Sequence, residues 1–159
     1  MAKLVYIETT VFSALFTPRV DTASAYRREM TRRWWDKQRE HYDLWTSRAA
    51  MEELQAGMYE GQEQAIALAA SLQRFDVSVE AVGIAEIYVK NHLMPGGKSA
   101  DGLHLAIASV NETDYLLTWN IRHLANPNKV EHMTVVNRRL GLLTPVITSP
   151  DALWLEETP

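Results

Sequence analysis

The chain of 159 residues contains no cysteine, which removes disulfides, thiolate metal sites and cysteine nucleophiles. A reducing compartment is compatible with that absence. Glycine and proline are sparse, at seven and six residues, so collagen-like and low-complexity architectures are excluded. No run of about eighteen apolar residues occurs, and the opening Met-Ala-Lys-Leu-Val-Tyr-Ile-Glu enters a strand pattern without the apolar core of a signal peptide. A soluble, cytoplasmic protein with no membrane span is expected. Positive charge is also in deficit: a net charge of -4 argues against coating nucleic acid by bulk electrostatics.

What is present is enough for a core. With 47% hydrophobic residues, the chain reads as one domain over 1–150 followed by a short tail, 151–159, expected to decorate the surface or a partner. Apolar runs of strand length at 4–7, 44–46, 76–79, 115–118 and 146–147 alternate with helical periodicity over 10–16, 23–40, 48–56, 61–74, 81–93 and 99–111. This alternation predicts an α/β protein with a central, mainly parallel five-stranded sheet. The first and fourth strands are apolar on consecutive residues, as central strands covered on both faces must be. Pro18 and the Met94-Pro95-Gly96-Gly97 break mark loops, and no internal repeat is visible.

Arg27, Arg28, Arg32, Arg33, Lys37 and Arg39 cluster against only Glu29 and Asp36. Such a stretch could hold a phosphate backbone or an acidic peptide; a solvated helix face with its tryptophans turned inward is the commoner outcome.

Four polar residues stand on apolar, structured segments. Glu8 closes Leu4-Val5-Tyr6-Ile7, Asn120 closes Tyr115-Leu116-Leu117-Thr118-Trp119, and Asp101 opens the nearly all-apolar helix that runs on through Ala108. Glu53 sits on the helix after the second strand. Each has a plain local explanation as a cap, a turn residue or an exposed helical acid. Together they fall near one sheet edge, where open parallel sheets bind ligands at the carboxyl ends of their strands. A buried acid on an apolar helix also needs a reason. Clustered carboxylates repel unless a proton or a cation intervenes, and oxygen donors without thiols favour magnesium or manganese. Such an ion activates water for attack on phosphorus, so phosphodiester hydrolysis is the expected reaction.

The segments 4–12, 47–57, 100–108, 116–126 and 144–150 resemble, in order and across nearly the whole chain, a PIN-domain protein of the VapC type, in its Thr-Trp-Asn variant branch. The resemblance implies a three-layer α/β/α fold and a Mg2+- or Mn2+-dependent endoribonuclease, usually the toxin of a toxin–antitoxin pair. It further implies an RNA substrate, a cognate antitoxin and a homodimer. Carried over by position, Glu8 and Asp101 are the principal metal ligands, Asn120 is a direct or water-mediated ligand, and Glu53 orients the attacking water or supports the ligands from the outer shell. Thr10, Lys98, Thr118 and Arg122 are candidate contacts to phosphate or to metal-bound water. Two positions depart from the family: Glu8 and Asn120 stand where Asp is usual, which implies weaker metal affinity. A binding module for RNA or protein, with little or no catalysis, is the alternative.

Other chemistries fall away. Gly96-Gly97-Lys98-Ser99 imitates the end of a P-loop, but His92 stands where its first glycine belongs and no strand precedes it. No Gly-x-Ser-x-Gly elbow or dinucleotide fingerprint occurs, and a phosphoacceptor site would need an Asp nucleophile after the first strand. His104, one turn beyond Asp101, reads as a buried, hydrogen-bonded histidine in preference to a ligand.

Overall fold

The structure, a computed structural model, describes residues 1–94 and 99–156. Five strands, β1 (Lys3–Ile7), β2 (Tyr42–Ser47), β3 (Gln73–Phe75), β4 (Tyr115–Leu117) and β5 (Val146–Thr148), form one sheet. Their order is β3-β2-β1-β4-β5, and each neighbouring pair is parallel. The helices are α1 (Thr9–Phe16), α2 (Thr22–Lys37), α3 (Arg48–Gln55), α4 (Gln62–Ala70), α5 (Val79–Lys90), α6 (Ser99–Val110) and α7 (Pro127–Arg139), with a 3-10 turn at Arg39–His41. No helix among the described residues is long and apolar enough to cross a membrane.

Alternation along β1 builds the layers. Val5 and Ile7 pack with Phe12 of α1, Trp34 and Trp35 of α2 and Ala65 of α4, whereas Tyr6 packs with Ala85 of α5, Leu105 of α6 and Met133 of α7. Both faces of the sheet are therefore covered, and Val5, Tyr6 and Ile7 are fully buried. Burial of Phe12, Ile7 and Leu116 contributes roughly 1.5–3 kcal/mol each. Side-chain caps start the helices: Asp21 accepts from Ser24 N, Ser47 from Ala50 N, Ser78 from Ala81 N and Asn126 from Asn128 N.

From β1 the chain moves outward through β2 to β3, then returns to the other side of β1 for β4 and β5. The direction of winding thus reverses between β1 and β4. That crevice is where a doubly wound sheet accommodates a ligand.

Three sequence expectations are corrected. The third strand is Gln73–Phe75, not 76–79; as an edge strand it tolerates polar side chains, and Ser78 instead caps α5. The helix expected over 61–74 accordingly ends at Ala70 to make room for it. Helix α7 was not anticipated, although Asn126 as cap and Pro127 in its first turn are standard start signals. Residues 151–156 run along the surface beside α2, mostly exposed: Trp34 Nε1 donates to Leu153 O at 2.8 Å and Leu155 N to Gln38 Oε1 at 2.8 Å. Residues 95–98, with the Pro-Gly-Gly break and Lys98, lie outside the described residues.

Candidate active site

Glu8 follows β1 at the winding reversal and caps α1, its Oε2 accepting from Thr10 N at 3.2 Å. It is only 2% exposed. Its Oε1 accepts the hydroxyls of Thr10 at 2.5 Å and Thr118 at 2.6 Å, the latter reaching across from the end of β4. Each hydroxyl in turn accepts a backbone N–H, Thr10 from Trp119 at 2.9 Å and Thr118 from Asn120 at 2.9 Å. Both hydroxyl hydrogens therefore point at Glu8. A carboxylate offers about four lone-pair sites, and these contacts use three.

The remaining direction faces His104, whose Nε2 lies 4.0 Å from Glu8 Oε2 and hydrogen-bonds Glu53 Oε1. His104 Nδ1 meets the Tyr6 hydroxyl at 2.7 Å, and Tyr6 meets Ser47 Oγ at 2.6 Å. With Nε2–H donated to Glu53, Tyr6 O–H donates to Nδ1 and Ser47 O–H to Tyr6, while Ser47 Oγ accepts from Ala50 N at 3.1 Å. Every member of this buried chain is satisfied. Burial pushes the Tyr6 phenol well above its usual range, so it remains a donor.

Burial alone would lower the His104 pKa, but the Glu53 hydrogen bond and the charges of Glu8, Glu53 and Asp101 outweigh it and hold the value above 6.5. A folded-state value raised above the unfolded one contributes stability that is complete below the unfolded value and is lost as pH rises through the folded one. The urea midpoint of the metal-free protein is therefore expected to fall as pH climbs from about 6 through the raised value. The His104→Gln variant should show a flatter profile over that window; an equally steep one would sink the assignment.

Glu8, Glu53 and His104 each offer a ligand atom, all within 4.8 Å of one another. The site thus contains His104, for which the sequence alone predicts a structural role. It is buried and hydrogen-bonded as expected, and it also belongs to the acidic centre. Its pairing with Glu53 bridges 51 residues, so no local motif could have announced it. The nearest sequence signal is its place one turn after Asp101.

Asp101 is half-buried in the first turn of α6 and acts on His104 through its charge; it is not a member of the trio. Asn120 is half-buried, its Oδ1 accepting from His123 N at 3.1 Å, so one of its lone pairs closes the turn after β4. Arg122 in that turn is exposed. Glu53 keeps 38% of its side chain exposed, leaving the centre open to solvent on one side. There it borders an apolar groove of about 710 Å³ between α3, α5 and α6, lined by residues such as Ala49, Val82, Ala85 and Leu103.

No family model matches the sequence, and no curated protein matches it. Solved structures do match the fold, which is the three-layer α/β/α, PIN-like fold of VapC structures. Mycobacterium tuberculosis VapC20, described as a sarcin–ricin-loop-cleaving toxin, superposes with a TM-score of 0.56 at 15% identity, over 75% of this chain and 92% of its own. VapBC2 from Rickettsia felis, bound to a DNA fragment from its promoter, gives 0.52 at 14% identity, over 92% and 98%. At such identities the likeness is one of fold.

Proposed function

We propose that the chain is a divalent-metal-dependent endoribonuclease of the VapC type, hydrolysing RNA phosphodiesters as the toxin of a toxin–antitoxin pair. The observation that carries this reading is the trio Glu8, Glu53 and His104 at the β1/β4 winding reversal of a fold shared with a loop-cleaving toxin. The donors fit a hard divalent ion: Glu8 keeps one lone-pair direction toward the trio, Glu53 is partly exposed, and carboxylate oxygen predominates. When bound, Mg2+ or Mn2+ supplies Lewis-acid neutralisation of phosphate and a water of lowered pKa.

Glu8 and Asp101 are the proposed principal ligands, with Asn120 contributing through its second lone pair. Glu53, fixed at one oxygen by His104, would hold the attacking water with the other and accept its proton. Thr10 and Thr118 serve in this reading by aiming Glu8, since their hydrogens are committed to it. Arg122 and Lys98 remain candidate phosphate contacts. An antitoxin and a second copy of the chain are the proposed protein partners, the former in keeping with the VapBC2 neighbour.

Calorimetric titration with Mn2+ tests the reading. Binding is expected in the parent and about tenfold or more weaker in Asp101→Ala, with RNA cleavage abolished in that variant and in excess chelator. Equal cleavage under either condition would overturn the assignment. The partial commitment of Asn120 Oδ1 to His123 favours one second reading, an RNA-binding module with little catalysis. RNA binding without any Asp101-dependent Mn2+ binding would select it.

A further inference from the structure

Glu53 lies at one end of a longer trough beside α1. Thr10, Ser13 and Thr17 recur along one face of α1 and just past it, each half-buried. Together with Ala14, Arg19, Ser24, Arg27 and Trp119 they line a cavity of about 200 Å³. Ser13, Thr17 and Arg19 also line a neighbouring cavity of about 420 Å³ that reaches Glu53 and Tyr59. The trough therefore runs from Glu53 past Arg19 to Arg27.

Two guanidinium groups in one small cavity stand out in a chain of net charge -4. Both side chains are exposed, Arg19 to 74%, yet each has a defined neighbour. Arg27 lies over the Trp119 ring, 5.6 Å from its centroid, and the ring is itself fixed by its Nε1 donating to Thr31 Oγ1 at 2.8 Å. Stacking orders the Arg27 stem before any ligand arrives, which lowers the entropy lost on binding. Arg28 Nη1 donates to the carbonyls of Thr17 and Arg19, each at 2.8 Å, and so pins the loop that presents Arg19. Asp21 lies 3.2 Å from Arg19 Nε and engages one edge of a five-donor fork, and Glu60 lines the neighbouring cavity with Glu53.

The chemistry of the lining selects a ligand. Guanidinium groups and the hydroxyls of Ser13, Thr17 and Ser24 are donors suited to phosphate oxygens, whereas Trp119 is only 5% exposed and has Arg27 over it, leaving little ring for a base to stack on. We propose that this cavity is a backbone-phosphate subsite for the RNA strand, holding a phosphodiester neighbouring the one that reaches Glu8 and Glu53. The proposal rests on the nuclease reading for its substrate. It assigns Arg27 and Arg19 the task of orienting the strand along α1 without reading its sequence.

The test is equilibrium binding of a short fluorescein-labelled single-stranded RNA to the full chain in chelator, across a salt series, so that binding is read without cleavage. Arg27→Gln is expected to weaken binding about tenfold and to lower the log–log salt slope by about 0.7, the value for one single-strand phosphate contact. Arg19→Gln should do the same to a smaller degree, and Arg27→Lys should keep the slope while recovering only part of the affinity. Arg33→Gln, which removes a charge from the same helix but outside the cavity, should bind with nearly parental affinity. In Mn2+, Arg27→Gln should raise KM and leave kcat close to parental.

Parental affinity and slope in Arg27→Gln, equal weakening by Arg33→Gln, or no binding by the parent would each overturn the subsite. RNA held through Arg27 by a protein that never cleaves would sink the nuclease reading and leave the subsite standing. Thermal melts of the same variants keep loss of fold separate from loss of binding.

Discussion

Glu8→Gln is expected to lower RNA cleavage by about 10²–10⁴-fold while the protein remains folded. The substitution keeps the volume of a 2%-exposed side chain and removes its charge. It also breaks a set of contacts built for an acceptor. The amide oxygen can replace Oε1 under the Thr10 and Thr118 hydroxyls, but the amide nitrogen then meets the Thr10 N–H and the His104 edge. Turned over, it presents hydrogens to two hydroxyls that already accept from Trp119 N and Asn120 N. Either way a buried donor loses its partner, at a cost of about 1–3 kcal/mol. Initial rates on labelled RNA in Mn2+, with a melt on the same sample, check both halves of the expectation. A rate within about tenfold of the parent would remove Glu8 from the chemistry.

Gly61→Ala is expected to cost about 3 kcal/mol and lower the melting temperature by roughly 6–12 °C. Gly61 has φ +87°, in the left-handed region, and an added Cβ would sit 2.3 Å from the Phe16 carbonyl oxygen. Backbone, not a pliable side-chain tip, must give way. Two penalties therefore combine, the conformation itself at about 1–2 kcal/mol and the displacement of the end of α1. Gly141, with φ +75° and nothing within 4 Å of the same added atom, isolates the first of them. Gly141→Ala should lose only about 1 kcal/mol. Equal losses in the two variants, by calorimetry or by denaturant midpoint, would show that the approach to Phe16 is unimportant. Because Gly61 also lines the cavity that reaches Glu53, activity should fall along with stability.

The elements that were legible in the sequence are those whose burial is written in consecutive residues. β1 from Leu4 onward and β4 are apolar because helices cover both sides, and the polar residues that follow them, Glu8 and Asn120, could be read as edge positions. β3 was misplaced because Gln73-Arg74-Phe75 is an edge strand with two polar side chains, while the more apolar 76–79 leads into α5. The pattern of α7 was weak because its buried stripe, Met133, Val136 and Asn137, includes a polar member; Asn137 Oδ1 accepts from Tyr88 O–H at 2.5 Å. Within the site, sequence position carried the acids but not their partners. Tyr6 reads as core, and only its contacts with Ser47 and His104 reveal a polar task for its hydroxyl. Thr10 and Thr118 were expected to face phosphate or metal-bound water, whereas their hydrogens turn inward to Glu8 from opposite ends of the chain.

The Glu8–Thr118 hydrogen bond joins positions 110 residues apart, and β1 stays without one neighbour until β4 arrives. A nascent polypeptide that has emerged only as far as α5 carries Glu8 and Glu53 but neither the histidine between them nor the strand that aims the first acid. Such long-range closure comes late in folding, because the entropy of the intervening loop must be overcome before the contact is rewarded. The centre therefore has no working precursor on the ribosome. For a chain proposed to cut RNA, synthesis itself becomes a safety interval: the hazard is switched on only after β4 has emerged and docked beside β1.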